Sequence, residues 1–113
     1  WVYTGEIFDA KTAKESGFVR SVHAPEELME AAYTLARSIA KKSQVSITLA
    51  RQMMLRLSAA ETPREAHNVD SLAIFYASQM DGKEGVKSFL EKREPNFSSK
   101  SSTDMPDFYP WWD

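Results

Sequence analysis

The sequence predicts an all-α chain of about five helices with one short extended segment. Three observations carry this expectation. Apolar residues recur at three- and four-residue spacing through most of the 113 residues, which is the period of a helix that buries one face. Helix-start signals punctuate the chain at Pro25-Glu26-Glu27, at Thr62-Pro63-Arg64-Glu65, and at Asp81 three residues before Glu84. Alternation, the mark of a strand, is confined to Phe18-Val19-Arg20-Ser21-Val22 and is weak there.

Asp9 reads as the N-cap of a short first helix that ends at Ser16, with Gly17 free to take a positive φ just beyond it. Pro25 opens the strongest helix, its φ already set and its missing N–H not needed. Glu26 and Glu27 favour the positive end of that helix and Lys41 and Lys42 its negative end. Leu28, Ala31, Ala32, Leu35, Ala36, Ile39 and Ala40 make one stripe, and Leu35, in its middle, is expected in the core. Ser43-Gln44 is a tight connection to a helix from Val45 to about Leu57. That helix is expected to be buried on two sides, Ile47, Ala50, Met54 and Leu57 on one and Ser46, Leu49 and Met53 on the other. Its two methionines suit either ordinary core or an adaptable contact surface. Thr62-Pro63-Arg64-Glu65 is a capping box with proline at the first helical position. The helix it starts runs to about Gln79 and buries Ala66, Val69, Ala73, Tyr76, Ala77 and Met80.

Residues 81–97 organise the rest. Asp81-Gly82 breaks the preceding helix, and Asp81 is expected to cap the next one, with Glu84 completing a second capping box. Val86, Phe89 and Leu90 share a helix face. Lys92 and Arg93 load the last turn, and Pro95 stops it. The boundaries expected are a helical domain over 1–97 and, over 98–113, a polar linker followed by an aromatic tail. Aromatic rings are costly to leave in water, so the tail is expected to dock.

Composition narrows the function classes. A net charge of −2 argues against nucleic acid as a partner, since such binding needs a basic surface. No apolar run approaches the roughly 20 residues of a membrane span. Without cysteine there is no disulfide framework and no thiol chemistry, which fits a reducing, cytoplasmic setting. His23 and His67 have neither metal-ligand spacing nor a nucleophile beside them, so no catalytic and no metal-binding residue is expected. Phe89 and Lys92 remain. An exposed ring one helical turn from an ammonium can stack a purine and pair with a phosphate. The bland alternative makes Phe89 core and Lys92 a solvated cation at a helix end.

The string EGVKSFLEKREPNF, from Glu84 to Phe97, resembles the closing "EG-x-x-(A/S)-F-x-EKR-x-P-x-F" of the enoyl-CoA hydratase/isomerase family, the crotonase superfamily. Thr4-Gly5-Glu6-Ile7-Phe8-Asp9-Ala10 and Ala13-Lys14-Glu15-Ser16-Gly17-Phe18-Val19 resemble that family's "TG-x-x-(F/I)-(D/S)-A-x-x-A-x-x-x-G-(L/F)-V". Val45 to Met54 resembles the helix that follows. The pieces stand in family order from about Thr4 to Phe97.

The resemblance implies the family's helical C-terminal region, which covers the acyl-CoA site and builds subunit contacts. The parent reaction it implies is hydration or isomerisation of an acyl-CoA double bond through a thioester enolate. Coenzyme A thioester is then a substrate, and no cofactor is expected. The residues matching Phe89 and Lys92 lie near the adenine and 3′-phosphate of coenzyme A in that family. Arg51 stands where many relatives carry a lysine facing the same moiety, and arginine keeps the charge. The family's oxyanion-holding N–H groups and catalytic glutamates belong to a larger N-terminal spiral core that these residues do not match. The chain, which starts at Trp1 without an initiator methionine, is therefore expected to be a fragment, inactive alone. Its expected partners are acyl-CoA, that N-terminal core of the same protein, and further copies in a homo-oligomer, a trimer or hexamer in the parent. The alternative is a free-standing helical interaction domain that assembles with other chains and binds no coenzyme A.

Overall fold

Caps and turns set the helix boundaries. In the computed structural model, which describes residues 1–110, the helices are α1 (Ala10–Glu15), α2 (Pro25–Ala40), α3 (Gln44–Leu57), α4 (Pro63–Gln79) and α5 (Asp81–Leu90). No strand occurs among the described residues. The chain divides into two compact units, Trp1–Ser38 and the residues from Ile39 onward.

In the first unit, the Asp9 carboxylate accepts the Thr12 N–H at 2.8 Å and caps α1. That amide bond holds the Asp9 carboxyl below its ordinary pKa. Gly17 follows with φ +77°. The Trp1 and Phe8 rings stack at 3.7 Å, and Phe18 meets both edge-on at about 6 Å. Residues 18–22 form bends and irregular chain, not the extended segment expected. The Phe18 and Val19 N–H groups are taken by the Ala13 carbonyl at 2.9 and 3.2 Å as the chain leaves α1, which bends the start of the run. The apolar stripe of α2 forms as expected, yet α2 buries no residue fully. Leu28 is 52% exposed, and Leu35 is only half-buried. Helical spacing places apolar side chains on one face but does not supply anything to cover them.

The second unit holds the core. Val45 and Leu49 are each 1% exposed and Ala73 2%, with Met53, Tyr76, Met105 and Tyr109 packed around them. α3 packs on α4, and α4 on α5. The Val45–Leu49–Met53 side of α3 faces this core; on the other expected side Ile47 and Leu57 are half-buried while Ala50 is exposed and Met54 is 72% exposed, so burial there is only partial. Thr62 Oγ1 accepts the Glu65 N–H at 3.3 Å, while the Glu65 carboxylate receives the N–H of Glu61 rather than that of Thr62. On α4, Ala73 is buried and Ala66, Val69, Tyr76 and Ala77 are half-buried, as the stripe predicted; Met80 is exposed. Met80 is the single residue between α4 and α5, with φ −95° and ψ −119°. Gly82 permits this corner, because a Cβ there would stand 2.8 Å from the Ala77 carbonyl oxygen.

Asp81 does not cap α5. It is the first helical residue, and α5 has no side-chain cap bond. The carboxylate is buried and turned to the returning chain, where it accepts the Ser98 N–H at 3.3 Å and the Ser99 hydroxyl. Ser99 in turn lies 3.4 Å from Ser43 Oγ, the cap of α3. Burial pushes the Asp81 carboxyl up, but these hydroxyl and amide donors outweigh it and hold the group below its ordinary pKa. The segment after Phe97 is therefore pinned at Ser99. It docks again where the Tyr76 hydroxyl donates to the Asp104 carbonyl at 3.0 Å and Phe108 meets the Tyr76 ring edge-on at 6.0 Å. Trp111 and Trp112, part of the aromatic tail, lie outside the described residues.

Candidate functional site

The amphipathicity of α5 is turned outward. Its buried residues are polar, Asp81 and Ser88, while Val86, Phe89 and Leu90 are 63%, 81% and 73% exposed. The polar side was recruited by hydrogen bonding: Asp81 binds the returning chain, and the Ser88 hydroxyl bonds the Gly85 carbonyl at 3.0 Å. The alternative that Phe89 is core therefore does not hold within this chain.

Beyond Leu90 the helix closes with two hydrogen bonds. The Arg93 N–H reaches the Ser88 carbonyl at 3.0 Å, and the Lys92 N–H reaches the Phe89 carbonyl at 3.2 Å. This is the Schellman arrangement, whose left-handed residue is usually glycine. Here it is Lys92, at φ +52°. A residue with a Cβ holds that conformation at a cost of about 1–2 kcal/mol. The turn ties Lys92 to Phe89, and neither side chain makes a hydrogen bond, ion pair or ring contact among the described residues.

The next cation is fully engaged. Arg93 Nη1 and Nη2 donate to the two Glu84 oxygens at 2.6 and 2.9 Å, and its Nε donates to Glu91 at 2.6 Å. Glu84 also accepts the Asn96 N–H at 2.7 Å. Glu84 is thus the centre of a clamp across the turn and not half of a capping box. The Arg93 hydrogen bonds, followed by the Asn96 amide, bring its pKa down from 4.5 to about 2. Glu84 and Glu91 push the Arg93 guanidinium up.

Arg51 lies on α3, exposed. No hydrogen bond, ion pair or cation–π contact joins it to Phe89 or Lys92 among the described residues. The structure therefore brings together two of the three residues singled out in the sequence. The Glu84–Arg93–Asn96 clamp was missed, because nine and twelve residues of separation fit no helical spacing and the contact exists only once the chain turns back. A groove of about 590 Å³ along α5 was also missed; Val86 and Leu90 line it together with Lys83 and Lys87. The i, i+4 spacing of Val86 and Leu90 was a legible signal for it.

Both histidines are occupied locally. The Ser21 hydroxyl lies 2.7 Å from His23 Nε2, and His67 Nδ1 lies 2.9 Å from Asp70 and 3.3 Å from the Ser71 hydroxyl. The same Ser71 hydroxyl lies 3.3 Å from His67 Nε2 as well and donates to the Asp70 carboxylate at 3.3 Å, so Asp70, Ser71 and His67 form one exposed local cluster on α4. Among the described residues no group of three or more His, Cys, Asp or Glu is placed to hold a metal ion, and no helix is long and apolar enough to cross a membrane.

Residues 1–100 match the family model described as enoyl-CoA hydratase/isomerase. An enoyl-CoA hydratase of Alternaria alternata is 37% identical over 97 residues, covering 83% of this chain and 32% of its own. A crotonyl-CoA hydratase of Syntrophomonas wolfei is 33% identical over 100 residues, 88% of this chain and 38% of its own. A crystal structure of an enoyl-CoA hydratase subunit from Geobacillus kaustophilus superposes with a TM-score of 0.75 at 32% identity, covering 88% of this chain and 39% of that one. The chain thus spans about a third of the length of the relatives it matches.

Proposed function

Since this chain belongs to the enoyl-CoA hydratase/isomerase family, we propose that it is the helical C-terminal part of such an enzyme and carries contacts to the nucleotide end of coenzyme A. The single observation that supports this most is the pair at the end of α5. Phe89 is 81% exposed, and Lys92 stands on a left-handed turn tied to it, with no partner for either side chain among the described residues. In this reading the Phe89 ring stacks the adenine and the Lys92 ammonium meets the 3′-phosphate. Arg51 contributes a third contact to the coenzyme A moiety.

The parent reaction is hydration or isomerisation of an acyl-CoA double bond. The oxyanion donors and acid–base carboxylates are assigned to the remaining length of the parent, in its N-terminal spiral core. The outward apolar faces of α2 and α5 suit contact with that core and with further copies, in a cytoplasmic homo-oligomer. Those same faces favour the second reading, an interaction domain that assembles with other chains and binds no coenzyme A.

Titration of the chain with coenzyme A and with 3′-dephospho-coenzyme A separates the two. Wild type is expected to prefer the 3′-phosphorylated ligand, by about tenfold for a charge-assisted contact of roughly 1.4 kcal/mol. Lys92→Ala is expected to treat the ligands alike. Equal affinity of wild type for both, or binding of neither, overturns the coenzyme A reading. The chain alone is expected to add no water to crotonyl-CoA; hydration proportional to its concentration contradicts the assignment of catalysis to the rest of the parent.

A further inference from the structure

Of the two adjacent cations at the end of α5, Lys92 has no side-chain partner among the described residues. Arg93 is held by a two-pronged bond to Glu84 and a third bond to Glu91. Glu84 also fastens the Asn96 amide, so a single carboxylate spans both sides of the turn that carries Lys92. That turn is held against a backbone preference, with Lys92 at φ +52°. A lysine in a left-handed position persists when its surroundings over-determine it, and such sites cluster where function needs a fixed geometry.

From this geometry we propose that Glu84 is a positioning residue for anion recognition, resting on the reading of Lys92 as the 3′-phosphate contact. By fastening Arg93 and the Asn96 amide, Glu84 fixes the turn so that the Lys92 ammonium is presented beside Phe89. It does not touch the ligand. Selectivity for the 3′-phosphate therefore depends on a carboxylate eight residues away from the cation that reads it. Residues Arg93 and Asn96 transmit the constraint, one through its guanidinium and the other through its backbone.

The test is a double-mutant cycle on the ratio of dissociation constants for 3′-dephospho-coenzyme A and coenzyme A. Glu84→Gln removes the charge that holds Arg93 while keeping nearly the same shape. It is expected to lower the ratio at least threefold, with affinity for the dephospho ligand nearly unchanged. A purely structural loss weakens both ligands together. In a Lys92→Ala background the same substitution is expected to leave the ratio where Lys92→Ala put it, because a positioning residue acts only through the residue it positions. Glu84→Asp keeps the charge on a shorter arm and is expected to give an intermediate ratio; it also serves if Glu84→Gln melts below the assay temperature.

A wild-type ratio in both Glu84 variants, with Lys92→Ala still abolishing selectivity, overturns the role of Glu84 and leaves the Lys92 reading intact. An effect of Glu84→Gln that persists without Lys92 also overturns it. No selectivity in wild type overturns both.

Discussion

Replacing Lys92 by glycine and by alanine separates the backbone of the α5 turn from its charge. Both substitutions remove an ammonium that has no partner within the described residues, so neither loses a contact. They differ in the left-handed conformation at φ +52°. Alanine keeps the Cβ and with it the steric cost, about 1–2 kcal/mol for an L-residue. Glycine removes that cost and gives back about 0.4–1 kcal/mol through the greater freedom of the unfolded chain. Lys92→Gly is therefore expected to stabilise the protein by about 0.5–1 kcal/mol, and Lys92→Ala to leave it nearly unchanged. For a cooperative unit of roughly 60–100 residues this corresponds to a rise in Tm of about 2–8 °C for the glycine variant. Thermal melts followed by circular dichroism read the difference. Both variants are expected to lose the preference for coenzyme A over its dephospho form to the same extent. The chain would then hold a less stable residue where glycine is better, which is the signature of a side chain kept for binding. A glycine variant that melts at or below the alanine variant refutes the claim that the turn is strained.

Leu49→Ala is expected to cost about 3 kcal/mol, because Leu49 is 1% exposed at the centre of a small core, whereas Leu28→Ala, at a position 52% exposed, is expected to stay within about 0.5 kcal/mol; equal shifts in urea midpoint contradict this placement of the core. Acid should weaken the α5 clamp. The folded-state pKa of Glu84 lies below its ordinary value, at about 2 against 4.5, so its contribution is complete above pH 4.5 and fades as the pH falls toward 2. Asp81, also held below its ordinary 3.8, acts in the same direction. Glu84→Gln should flatten the stability–pH profile between pH 4.5 and 2, and a mutant profile parallel to wild type through that interval argues against the clamp.

Local chemistry was legible where the energy is local. Asp9, Thr62 and Pro63 mark helix starts because a side-chain oxygen or a fixed φ acts within three or four residues, and those starts stand in the structure. The α4 stripe was legible for the same reason, since its period needs nothing beyond the helix. The family was legible in the ordered motifs from Thr4 to Phe97. The three-residue spacing of Phe89 and Lys92 put them near each other before any fold was known, though the contact is made by the turn that closes α5 and not by a further helical turn.

Burial was another matter. α2 and α5 carry stripes as regular as that of α4, yet α2 buries no residue fully and α5 turns Val86, Phe89 and Leu90 to solvent. A period says which side chains share a face; whether that face is covered depends on which other element arrives there. Tertiary contacts also reassigned the carboxylates. Asp81 and Glu84 satisfy the spacing of a capping box, but Ser98, Ser99, Arg93 and Asn96 offer several donors at once when the chain returns along α5, and they outcompete a single local amide. Sequence alone determined the helices, their order and the three-residue spacing of Phe89 and Lys92, although α5 ends at Leu90 and Lys92 stands on the left-handed turn beyond it rather than in the last helical turn. Only the return of residues 93–109 over α4 and α5 decided which groups those helices bury, because hydrogen bonds and contacts across such separations exist only after the chain has closed on itself.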